Sequence, residues 1–190
     1  AARSAAEAPA ALTGPYTFSR EKIIPLQGAP VYIGQTLVEV PTTIIAQSDH
    51  GSIHVLAAFA SEGMGLRRHV ETVVKPWLTA NARWALNNHR LLLGAYEDVE
   101  QQNEFDLLQI VEDLLGGYWE KPFSKWEGRR DGVLDLIGKA TPGTFQPSLQ
   151  IDGTGAKLLI EALSGRWSYD TDRREKRTIW YHVANAFSLF

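Results

Sequence analysis

The densest run of groups able to do chemistry is Ser48-Asp49-His50-Gly51-Ser52-Ile53-His54. Its two imidazoles stand four residues apart, the spacing at which one face of a helix can offer both to a metal ion. A metalloprotease-type pair also carries a glutamate directly after the first histidine, and here Gly51 stands there. Ser48 and Asp49 are good helix-capping residues, so the run is read as the start of a helix. A second run, Ile151-Asp152-Gly153-Thr154-Gly155-Ala156-Lys157, has the letters of a phosphate-cradling loop. Such a loop needs four residues between its glycines and a hydroxyl residue after the lysine. Here Thr154 alone separates the glycines and Leu158 follows Lys157, so this too is read as a helix start.

The acids Glu97, Asp98, Glu100, Glu104, Asp106, Glu112 and Asp113 could supply a general acid and base. Their spacing spreads them over the outward sides of two expected helices, a solvated face that could meet a basic partner. The one local concentration of positive charge is Asp172-Arg173-Arg174-Glu175-Lys176-Arg177, flanked by Trp167, Tyr169, Trp180 and Tyr181. Arginines among aromatics can stack and neutralise single-stranded nucleic acid, and they are equally enriched where proteins dock. The interspersed acids favour docking, which makes Trp167, Tyr169, Arg173, Arg174, Arg177 and Trp180 the candidate partner-binding residues. No catalytic residue, metal ligand or cofactor is assigned.

Bulk composition bounds these readings. The 190 residues are 44% hydrophobic and 22% charged, with six Trp, six Tyr and seven Phe, enough for one folded domain with a real core. The formal charge of −3 provides no global positive field for a polyanion. With no cysteine, disulfides, thiolate nucleophiles and cysteine-based zinc sites are excluded. The apolar runs at Val55–Ala60 and Leu91–Leu93 fall far short of the ~18 residues of a membrane span. The small-residue opening from Ala1 to Ala11 reads either as a processed end or as a frayed arm.

The elements follow from punctuation and period. Pro15, Pro25, Gly28, Pro30, Gly34 and Pro41 forbid a long helix early on, so residues 1–47 are expected to form an extended arm. Val31-Tyr32-Ile33 and Leu37-Val38-Glu39-Val40 could give one short strand or hairpin within it. Residues 48–190 are expected to be helical. Ile53, Leu56, Ala57 and Ala60 share one helical face, and Leu66, Val70, Val73, Val74 and Trp77 another. Leu91, Leu92, Ala95, Tyr96 and Val99 predict a third helix, and Phe105, Leu108, Val111, Leu114 and Leu115 a fourth. Shorter helices are expected at Asp131–Ile137, Ala156–Leu163 and Thr178–Phe187.

These hairpins repeat. His54 and His89 lie 35 residues apart, and Lys75-Pro76-Trp77 and Lys121-Pro122-Phe123 close successive units. Helix pairs of this length, with Ala-aromatic ends and a later proline, resemble the pentatricopeptide repeat, best over Asn88–Pro122. The small acidic build with a Pro-rich arm resembles the extra subunit on the catalytic head of euglenozoan mitochondrial ATP synthase. That resemblance implies an all-α, pentatricopeptide-like solenoid of antiparallel hairpins in the mitochondrial matrix. It also implies a non-catalytic role, binding the ATP synthase alpha subunit with no cofactor and no small-molecule substrate. A small RNA-binding helical-repeat protein, or an accessory subunit of another mitochondrial complex, is the alternative; few irregular repeats and no basic excess speak against RNA.

Overall fold

A computed structural model describes residues 22–37, 39–87, 89–94, 101–116, 118–120, 126–137, 147–167 and 178–190. Six strands form one sheet: β1 (Val31–Thr36), β2 (Thr42–Asp49), β3 (Ser52–Ala60), β4 (His89–Gly94), β5 (Tyr118–Glu120) and β6 (Leu149–Ile151). The helices are α1 (Leu66–His69), α2 (Lys75–Asn81), α3 (Gln101–Leu115), α4 (Trp126–Leu136), α5 (Lys157–Glu161) and α6 (Ile179–Phe187). A π-helical turn at Val70–Val74 runs α1 directly into α2. The strand order is β5-β4-β1-β2-β3-β6. β1, β2 and β3 are antiparallel, while β4 runs parallel to β1, β5 parallel to β4 and β6 parallel to β3.

Both faces of the sheet are covered, so each central strand carries apolar residues on both sides. Val31, Ile33, Leu37, Ile45, Leu56 and Ala57 face α1, α2 and α3, meeting Leu66, Val70, Val74, Leu78, Leu108 and Val111. Ile44, Ala46, Val55, Ala58, Leu149 and Ile151 face the other way, against Val133 of α4, Leu159 of α5 and Val183, Ala186 and Phe187 of α6. Helix α6 is deeply enclosed, with every residue from Tyr181 to Phe187 buried.

This architecture corrects the expected all-α solenoid, and the reasons are local. Ser48-Asp49 caps no helix. Asp49 pairs with Ser52 across a two-residue loop, and His50 and Gly51 hold φ of 46° and 88°, the left-handed pair that a tight hairpin turn requires. The helical face expected from Ile53, Leu56, Ala57 and Ala60 is instead strand β3, whose Leu56 and Ala57 join one core while Ile53 and Ala60 pack against the other, and a bulge spoils its alternation. Ile45 pairs with Ala57 but Ala46 with Val55, leaving Leu56 as the extra residue, so positions three apart fall on one face of a strand. Leu91-Leu92, expected on a helix, lie in β4; a short apolar run in a doubly covered sheet has no period that separates it from a buried helix. The expected helices at Leu66–Trp77, Phe105–Leu115, Asp131–Ile137, Ala156–Leu163 and Thr178–Phe187 correspond to α1–α2, α3, α4, α5 and α6.

The expected N-terminal arm is corrected likewise. Strands β1 and β2 sit in the middle of the sheet. The segment before them is tied to the body by side chains far along the chain: Ile23 N donates to Asp152 Oδ2 at 2.6 Å and Leu26 N to Gln47 Oε1 at 2.8 Å. Trp84 Nε1 donates to Ala29 O at 3.0 Å. The earlier part of the arm lies outside the described residues.

Candidate functional site

In open sheets with parallel strands, ligands gather beyond the carboxyl ends of the strands, where the order of connection reverses. Here that place is the β1–β4 edge. β1 has an antiparallel neighbour on one side and parallel β4 on the other, and Thr36 and Gly94 end the two strands side by side. Helix α6 crosses above them. It can do so because Gly34 has no side chain: a Cβ there would meet Ala186 O at 2.4 Å and the Phe190 ring at 2.9 Å.

Four elements bring polar groups to this edge. Glu39, in the loop leaving β1, holds φ of 60°, a left-handed conformation that costs a non-glycine residue energy. Its carboxylate oxygen lies 3.2 Å from Nε2 of His182 on α6, an imidazole only 2% exposed. One turn further along α6, Asn185 accepts a hydrogen bond from Arg129 Nη2 of α4 at 3.2 Å, and Arg129 Nε donates to Ser188 Oγ at 3.3 Å. The Thr36 hydroxyl is turned inward: it donates to Val40 O at 3.2 Å and accepts from Thr42 N at 3.1 Å. The edge therefore holds an imidazole and a carboxylate in contact, and farther along the same helix Asn185 and the following Ser188 bond the Arg129 guanidinium.

A second polar group lies beneath β1, on the opposite face. Gln35, Thr43 and His69 are fully buried. The Thr43 hydroxyl donates to Gln35 Oε1, and His69 Nε2 lies 2.8 Å from the same hydroxyl, so Nε2 carries the proton; Nδ1 then accepts from Ser61 Oγ at 2.7 Å. Burial lowers the His69 pKa from 6.5 to about 4, which keeps the ring neutral. This chain of bonds fastens α1 to β1 and β2, the strands on either side of the loop that carries Glu39.

The residues singled out from sequence fall elsewhere. His50 is in the hairpin turn bonded to Asp49, and His54 lies in β3, so the two do not form a helical pair. Burial, partly opposed by Asp49, lowers the His54 pKa. Asp152 is a structural carboxylate, 2% exposed, accepting from Ile23 N, Thr154 N and Gly155 N. Asp106 and Asp113 are exposed on α3, in keeping with a solvated face. Trp167 is buried in the core, and Trp180 packs against that core with the Arg166 guanidinium 4.8 Å from its ring centre. Tyr169, Arg173, Arg174 and Arg177 lie outside the described residues, as do Glu97, Asp98 and Glu100. Sequence reasoning missed Glu39, Arg129, His182 and Asn185, which no local spacing connects.

The sheet, covered by helices on both faces, makes an αβα sandwich. Three solved structures share it over nearly the whole chain. The large terminase nuclease domain of bacteriophage SPP1, with bound Mn, matches with a TM-score of 0.58 and 13% identity, over 92% of this chain and 96% of that one. The P22 large terminase nuclease domain matches with a TM-score of 0.60 and 10% identity, over 94% and 89%. The large terminase nuclease of thermophilic phage G20c, with bound cobalt, matches with a TM-score of 0.56 and 9% identity, over 99% and 97%. No family profile and no curated protein matches the sequence.

These likenesses correct the pentatricopeptide and ATP synthase reading in its fold, its alpha-subunit partner and its non-catalytic role. The same fold elsewhere is a nuclease domain, and the helical repeats on which that reading stood are partly strands. The metal seen in two of those structures can be tested against the residues here. Hard divalent ions take several oxygen ligands, carboxylates foremost. Among the described residues no three His, Cys, Asp or Glu side chains stand close enough to hold one. At the β1–β4 edge the single carboxylate among the groups above is Glu39, and it faces an imidazole. Among the described residues the edge supplies no divalent-metal centre by itself; Glu97, Asp98 and Glu100, which follow Gly94 in the sequence, lie outside them.

Proposed function

We propose that this chain acts on nucleic acid as a nuclease-type domain of the kind found in phage large terminases, receiving a DNA strand across the ends of β1 and β4 beneath α6. One observation carries the reading: the fold matches those of terminase nuclease domains over 92%, 94% and 99% of the chain, with TM-scores of 0.58, 0.60 and 0.56. The polar groups along α6 support it, since Arg129 is the kind of side chain that binds phosphate oxygens. The net charge of −3 is no obstacle, because phosphate recognition depends on local cations rather than on the sum over the molecule. The basic run expected to bind a partner, Arg173, Arg174 and Arg177 with Tyr169, belongs to the same proposal as a further phosphate-contacting segment.

The test is retention of a labelled 30-base-pair duplex by the purified chain, followed by fluorescence anisotropy from low to high salt. The expected outcome is saturable binding that weakens steeply as salt rises, with a log-log slope reporting several neutralised phosphates. Absence of retention at low salt would sink the proposal. Incubation of supercoiled plasmid with Mg2+, Mn2+ or Co2+ on the same preparation reads strand cleavage.

A further inference from the structure

The helical segment after β3 presents a second surface of defined charge, whose reading rests on the nucleic-acid proposal above. We infer that the outward ridge of α1 and α2, with Arg67, Arg68 and Lys75, holds the phosphate backbone of nucleic acid lying across the ends of β1 and β4. The ridge follows from how the segment is wound. Leu66, Val70, Val74, Leu78 and Ala82, each four residues after the last, are at most 6% exposed and pack on the sheet. In an unbroken α-helix four residues overshoot a turn by about 40°, so four such steps would carry the row about 160° around the axis. The π-helical turn at Val70–Val74 takes up much of that overshoot, because its wider turn holds more residues. The apolar row therefore stays on the sheet, and two other rows stay in solvent: Arg67, Glu71, Lys75 and Thr79 on one, Arg68, Thr72, Pro76 and Ala80 on the other, all exposed.

Three cations stand on these rows against one acid, in a chain whose net charge is −3. Glu71 is already met by Arg67, at 3.7 Å. Among the described residues Arg68 and Lys75 form no ion pair. Both threonines turn their hydroxyls back to the helix, Thr72 donating to Arg68 O at 2.7 Å and Thr79 to Lys75 O at 2.8 Å. What the ridge shows to solvent is uncompensated positive charge, the complement of a row of phosphates. It also begins next to the proposed edge. Ser61, which follows β3, donates its N–H to Pro41 O in the loop that carries Glu39, and its hydroxyl bonds His69 of α1. His69 in turn bonds Thr43, the second residue of β2. These bonds fix the turn carrying Arg67 and Arg68 beside the Glu39 loop, on the face of the sheet opposite α6.

Retention of the labelled duplex by the full chain, followed by anisotropy across salt, compares the parent with three variants. Arg68→Ala/Lys75→Ala is expected to keep its Tm within about 2 °C, since both positions are exposed. It should bind more weakly and lower the log-log salt slope by about two. Lys22→Ala/Lys157→Ala removes the same charge at exposed positions elsewhere and is expected to retain the duplex as the parent does. Glu71→Gln removes the ridge's acid, releases Arg67 and should bind more tightly. Parental affinity and slope in Arg68→Ala/Lys75→Ala would overturn the inference and leave the nucleic-acid proposal standing, the ridge then being a solvated face or a seat for an acidic protein. An equal loss in Lys22→Ala/Lys157→Ala would overturn it too, by tracing the effect to total charge. If Arg68→Ala/Lys75→Ala loses stability, Glu71→Gln decides, and unchanged affinity there counts against the ridge. A parent that retains no duplex at low salt sinks both proposals.

Discussion

At the scale of single residues, the polar groups of this protein divide by what they face. Glu39 and His182 face each other at an edge that solvent reaches, Glu39 being 43% exposed. His69 faces only hydroxyls in the interior. Its titration makes a prediction with a definite sign. The folded-state pKa, about 4, lies below the unfolded value of 6.5, so the unfolded chain binds the proton more readily. The stability that neutral His69 contributes is complete above pH 6.5 and is lost progressively as pH falls toward about 4. The loss over that window is on the order of 3 kcal/mol, converting the full shift at ~1.4 kcal/mol per unit. Denaturant unfolding at pH 7, 6, 5 and 4.5 measures it, and His69→Gln is expected to flatten this part of the profile. An unchanged slope in that variant would show that other groups carry the acid sensitivity.

At the scale of elements, the placement of α6 decides whether a site exists. This helix lies against β1, β2, β3 and β4 and carries His182 and Asn185 to the strand ends. Its approach depends on the missing side chain at Gly34, where a methyl would stand 2.4 Å from a backbone oxygen that cannot rotate away. Gly34→Ala is therefore expected to push α6 off the sheet and destabilise the fold by about 1–3 kcal/mol. Denaturant midpoints measure the cost. Duplex retention of the folded fraction should fall as well, because the edge loses its upper wall; a variant with wild-type midpoint and retention would show that α6 does not sit this close. Elements were unevenly legible beforehand. Phe105–Leu115 lies on a helix flanked by Gly116, and its 3.6-residue period is the period of the structure. The strands were misread where a bulge at Leu56 and burial on both faces removed the alternation that marks a strand.

At the scale of the whole molecule, a chain with more acids than bases is proposed to hold a polyanion, so charge distribution rather than charge total is what must be measured. Replacing Arg173, Arg174 and Arg177 together by Ala is expected to weaken duplex retention and reduce the salt slope by up to about three. The same change should leave thermal stability within about 2 °C if these side chains serve contact rather than packing. A slope equal to that of the parent would remove this segment from the interface. The sequence by itself determined a cysteine-free chain with a sizeable core, the helix periods at α1–α2, α3 and α6, and the structural rather than phosphate-binding character of the Asp152 loop. Only the tertiary structure decided that Val31–Ala60 is the centre of a sheet, and that α6 brings His182 to Glu39 and Asn185 to Arg129. The physical reason is range. Helix period and loop chemistry are set by bonds within a few residues, whereas strand pairing and a site assembled from positions 39, 129, 182 and 185 depend on contacts that no local spacing encodes.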